Sequence, residues 1–82
     1  MDNNRSARRE VRNPVLALPS VRAIGGLDPA SRAVLVALLG DLAADARERA
    51  QESWRKNKGP MAAYWKAVGA YAEHTRRAIK QA

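Results

Sequence analysis

The chain has 82 residues and a formal net charge of +7, with no cysteine, no phenylalanine, one histidine, two tryptophans and two tyrosines. At this length it makes one domain that buries only about 60–65% of its unfolded surface and keeps a few kcal/mol of stability, so that oligomerisation is an economical way to complete the core. Disulfides, thiolate metal sites and cysteine nucleophiles are excluded, and the longest apolar run, Val34 to Leu39, falls far short of the ~20 residues of a membrane-spanning helix.

The apolar stretch Val15 to Leu18 is likewise too short for a secretory leader, so a soluble cytoplasmic protein is expected. Residues 1–13 read as a basic arm. Arg5, Arg8, Arg9 and Arg12 recur at helical spacing, but the segment has too little apolar surface to fold alone. It is either a solvated flexible tail or an arm that orders on nucleic acid, as arginine-rich segments do.

Residues 14–82 read as a single helical domain. Asn13 before Pro14 is a helix start, and Pro19 limits that helix to about one turn. Ser20 to Ile24 predicts a second short turn closed by Gly25-Gly26. Val15, Leu16, Leu18, Val21, Ile24 and Leu27 give residues 14–27 the apolar content of a lid.

Asp28-Pro29 pairs a capping acid with the residue favoured at the first helical position, and predicts a long helix over 28–57. Leu35, Leu38, Leu39, Leu42, Ala46, Ala50 and Ser53 form its apolar stripe. Gly40 interrupts the pattern, but a lone glycine costs only about 1 kcal/mol and the helix is expected to continue through it.

Pro60 opens a last helix over 60–81, in which Met61, Tyr64, Trp65, Val68, Tyr71, Ala72, Thr75, Ala78 and Ile79 recur at helical spacing. The connection Asn57-Lys58-Gly59 is short, which makes the two long helices antiparallel neighbours. The expected fold is therefore all-α: an antiparallel αα-hairpin with short N-terminal helical turns. At about 43 Å the first helix outruns the second, at about 30 Å, by more than a turn. The overhang, Val34 to Leu39, is apolar on every side and must be covered by the lid, by a second subunit or by both. A homodimer completing a helical bundle through Val34, Leu35, Leu38 and Leu39 is the expected assembly.

Reactive chemistry is sparse. Asp41, Asp45, Glu48 and Glu52 share one helical face and could in principle hold a divalent cation or supply an acid and a base. No histidine joins them and no kinked backbone gathers their oxygens, so a solvated acidic face is the better reading. His74 lies off the apolar stripe and reads as solvated, no serine sits in a nucleophile elbow, and no glycine-rich phosphate loop is present. No catalytic residue, metal site or cofactor is assigned, and an enzyme is disfavoured.

Charge is segregated along the chain. Residues 54–82 carry seven basic side chains against Glu73, while residues 27–53 are net acidic. Tyr64 and Trp65 fall on the core stripe and read as packing residues. Trp54, at the edge of its stripe beside Arg55 and Lys56, could instead stack on a base or anchor a protein interface. With Lys58 and Lys66 these residues form a basic, aromatic corner suited to a nucleic-acid backbone, a host protein or a ribonucleoprotein complex.

The stretch Trp54-Arg55-Lys56-Asn57-Lys58-Gly59-Pro60-Met61-Ala62-Ala63-Tyr64-Trp65-Lys66-Ala67-Val68, with the Ala- and Arg-rich composition, resembles small proteins of phages and prophages in GC-rich bacteria. The resemblance carries no catalytic or binding motif. It implies a class, that of DNA-associated accessory proteins and counter-defence factors such as anti-CRISPR proteins, acting in the host cytoplasm. Two functions follow as expectations: a stoichiometric inhibitor or adaptor binding a host nucleic-acid-handling complex, or a direct, largely sequence-independent DNA- or RNA-binding accessory protein.

Overall fold

A computed structural model describes residues 12–82, and every regular element in them is helical. A 3₁₀ turn, Pro14–Ala17, precedes α1 (Ser20–Ile24), α2 (Pro29–Arg55) and α3 (Gly59–Gln81). No helix among the described residues is long and apolar enough to cross a membrane.

Local chemistry sets the boundaries. The Asn13 side-chain oxygen accepts the Val15 N–H at 3.1 Å, while its amide nitrogen donates to the His74 carbonyl at 2.8 Å, tying the 3₁₀ turn to α3. Asp28, in extended backbone, accepts the Ser31 N–H at 3.1 Å and the Ser31 hydroxyl at 2.7 Å, with Pro29 in the first helical turn. From there α2 runs unbroken through Gly40.

The corner after α2 is closed by Asn57, the only described non-glycine residue with positive φ, at 58°. The Lys58 N–H donates to the Ser53 carbonyl at 2.8 Å and the Asn57 N–H to the Trp54 carbonyl at 3.0 Å. These are the two bonds of a Schellman cap, and asparagine tolerates the left-handed conformation that such a cap requires. The chain therefore reverses within Lys56-Asn57-Lys58.

The helices are antiparallel and closely apposed. Arg32 Nη1 donates to the Ala82 carbonyl at 2.7 Å, and a Cβ built on Gly40 would lie 3.8 Å from Arg76 Cδ. A Cβ built on Gly69 would lie 3.6 Å from the Ala46 Cβ and 3.7 Å from the Ala43 carbonyl. Among the described residues the buried apolar ones are Ala43, Ala46, Ala62, Ala72, Ala78 and Ile79. A core of alanines lets backbones approach closely but stabilises little, since each buried methyl contributes about 0.8 kcal/mol against roughly 1.5–3 for a leucine or valine side chain.

Three expectations are corrected. The bare overhang does not exist, because the 23 residues of α3 run beside the 27 of α2 as far as Arg32. Residues 14–27 do not lie over Val34–Leu39; they pack on the C-terminal end of α3, through Asn13 at His74 and Gly25 against Ala82, and leave Val34 and Leu38 68% and 60% exposed. The core is also narrower than the sequence stripes suggest: Leu42, Met61, Tyr64 and Tyr71 are 40–60% exposed. Along its thinnest direction the Cα trace is 15 Å deep, about the span of two packed helices.

Candidate interaction surfaces

The basic corner is built by the end of α2 and the start of α3. The Schellman cap stops α2 directly after Trp54 and Arg55, and the indole stands 71% exposed. Across from it the first turns of α3 present small residues. Ala50, Gly59, Ala62 and Ala63 form the base of an open groove of about 600 Å³, with Trp54, Arg55 and Lys66 at its edges. The hairpin thus brings Lys66 together with Trp54 and Arg55 across the turn.

Glu52 organises the cations beside this groove. Arg55 hydrogen-bonds one of its carboxylate oxygens, and Lys56 Nζ lies 3.1 Å from the other. Hydrogen bonds from Lys56 and then Arg55 hold the Glu52 carboxyl below its ordinary pKa. These partners are solvent-exposed, so the pairing orients side chains more than it stabilises the fold. Lys58 and Lys66 enter no ion pair among the described residues. The corner keeps a surplus of positive charge around an apolar slot.

The arm lies apart. Arg5, Arg8 and Arg9 fall outside the described residues. Arg12 borders a cleft of about 350 Å³ with Leu16, His74 and Arg77, at the other end of the hairpin from Trp54. His74 is half-buried there rather than solvated, its ring edge-on to Tyr71 at 6.0 Å.

The acidic row of α2 does not converge. Asp45 is 2.8 Å from Arg49, Glu52 is engaged as above, and no group of three or more His, Asp or Glu side chains among the described residues could hold a metal ion. Arg49 also lies over the Trp65 ring at 4.9 Å, and Tyr64 meets that ring edge-on at 5.1 Å. Trp65 is half-buried, but Tyr64 is 56% exposed and is not the packing residue its stripe suggested.

A second surface lies on the other flank. Leu39, Leu42, Tyr64, Val68, Tyr71 and Thr75 line a shallow groove of about 480 Å³ that contains no charged residue. On α2, Leu42 and Trp54 are about 120° apart around the axis, on either side of the stripe Ala43, Ala46 and Ala50; on α3, Tyr64 and Lys66 are about 160° apart. The apolar and basic grooves therefore face opposite ways. Of the residues expected to form a dimer interface, Val34 and Leu38 are exposed, Leu38 one turn before Leu42, while Leu35 and Leu39 are half-buried and Leu39 lines the groove. Sequence reasoning missed Leu42, Tyr64 and Tyr71, whose helical period was visible but whose phase relative to the contact was not.

Among the described residues, fold and surfaces define a helical hairpin with a basic groove on one flank and an apolar groove on the other. No protein-family model matches the chain, and no curated protein or solved structure is detectably similar to it.

Proposed function

We propose that this is a non-enzymatic interaction protein, a stoichiometric inhibitor or adaptor that binds a host nucleic-acid-handling complex through the corner of Trp54, Arg55, Lys56, Lys58 and Lys66. The observation that carries the reading is the 71% exposed indole at the edge of an apolar groove flanked by Arg55 and Lys66. An exposed tryptophan beside a small-residue slot has the chemistry of an interface anchor, and the surrounding cations favour an acidic partner surface. The resemblance to small phage and prophage proteins supports a counter-defence role of the anti-CRISPR kind in the host cytoplasm. In this reading the protein works as a homodimer.

Direct nucleic-acid binding is the second reading, favoured by the seven basic residues against one acidic residue in 54–82. Against it, Glu52 stands among the cations that would track phosphates.

Capture from bacterial host lysate, with and without nuclease, separates the two. Capture that survives nuclease, is abolished by the combined change Arg55→Glu, Lys56→Glu and Lys58→Glu, and is weakened by about 2 kcal/mol or more in Trp54→Ala supports the adaptor. Helicity and melting temperature should stay near wild type in both variants, because the altered side chains are exposed. Capture lost on digestion supports nucleic acid. Capture indifferent to every substitution places the functional surface elsewhere.

A further inference from the structure

We infer that the uncharged flank of the hairpin is covered by a second copy of the chain, two-fold related, so that the functional unit is a helical bundle carrying two outward-facing basic corners. The inference deepens the homodimer of the adaptor reading and rests on it only for the use made of the corners.

The first observation is the want of a core. Among the described residues, every buried apolar one except Ile79 is alanine, and no large side chain is fully buried. Meanwhile Leu38, Leu42, Tyr64 and Tyr71 stand 40–60% exposed along one flank. A fold with so little interior needs its missing layer whenever it is folded, and the component present whenever the chain is present is another copy.

Symmetry is the second argument. An isologous contact uses the same patch on both subunits, so no further complementary surface is required.

Charge selects the flank. A chain of net charge +7 repels its own copy wherever its cations cluster. The groove bearing Arg55 and Lys66 is one such place, whereas the groove of Leu42, Tyr64 and Tyr71 is lined by no charged residue. On α2 its border is acidic: Asp41 and Asp45 each follow by one helical step the exposed Leu38 and Leu42. The tyrosines suit the contact, since their rings bury apolar area while the hydroxyls stay at a wet rim.

Sedimentation equilibrium of the purified chain between about 1 and 100 μM tests this without any partner. The expected result is a species of twice 9.0 kDa, reduced to the single mass by Leu42→Asp and unaffected by Trp54→Asp on the opposite flank. Should Leu42→Asp unfold, Tyr71→Ser decides: it should weaken self-association about tenfold or more while leaving helicity intact. A wild-type protein that stays at 9.0 kDa with full helicity at 100 μM overturns the inference, as does a dimer dissociated by Trp54→Asp but not by the changes at Leu42 and Tyr71. Failure here leaves the corner as a monomeric binding site; failed capture from lysate leaves the dimer standing.

Discussion

At the scale of the single residue, Glu73 shows how a surface carboxylate is tied into the structure. Arg76 donates to both of its oxygens and Arg77 Nε lies 3.2 Å from one. The hydrogen bonds from Arg76, then those charges and Arg77, lower the Glu73 carboxyl from 4.5 to about 2. Folding therefore favours the ionised form. The resulting stabilisation is fully present above about pH 5 and is lost as pH falls through the interval from 4.5 to about 2. Asp28, held below its ordinary pKa by the Ser31 hydroxyl and then the Ser31 N–H, shifts in the same direction. Solvent screening keeps each effect modest, because these groups are not deeply buried. Melting followed by circular dichroism should show a temperature that drops between pH 5 and 2, with a smaller drop in Glu73→Gln, which begins from a lower value at pH 7. Identical acid limbs in the two proteins would show that the Arg76 and Arg77 contacts do not persist in solution.

At the scale of the element, the α2–α3 contact is governed by side-chain size. The close approach at Gly69 leaves about 3.6 Å between the position of an added Cβ and the Ala46 Cβ, ordinary van der Waals contact. Gly69→Ala should therefore fit and stabilise the hairpin by about 1 kcal/mol through helix propensity, whereas Gly69→Leu should force α3 away from α2 and destabilise by roughly 1–3 kcal/mol. Urea denaturation measures both. A destabilising alanine at this position would mean that the helices are closer than described. The elements themselves were legible in the sequence: Asp28-Pro29 marks the start of α2, and the turn at 57–59 fixes an antiparallel partner. Which face met which was not legible. Leucine and tyrosine stripes are read as core because large apolar residues usually are, and here the contact instead follows Ala43, Ala46, Ala62, Gly69 and Ala72, small residues with weak hydropathy whose importance appears only when two backbones are brought together. Trp54, at the edge of its stripe beside the charges and the turn, is open to either reading in the sequence, and it is exposed. Lys66 could be joined to it only once the hairpin was closed.

At the scale of the whole molecule, the two flanks have separate work under the proposal: the uncharged one would meet a second copy, and the basic one would stay open for an acidic partner. A dimer formed in this way is bivalent, and two corners on a rigid bundle raise the avidity for a partner that presents its site twice. The absence of native cysteine makes the division directly measurable, since a single introduced thiol reports its own accessibility. Thiol labelling rates should be compared for Leu42→Cys and Trp54→Cys, each in the otherwise unaltered chain, from sub-micromolar to 100 μM protein. The account predicts that labelling at position 42 slows steeply as concentration rises while labelling at position 54 stays fast throughout. Fast labelling at both positions at every concentration, or protection appearing at position 54 instead, would contradict it.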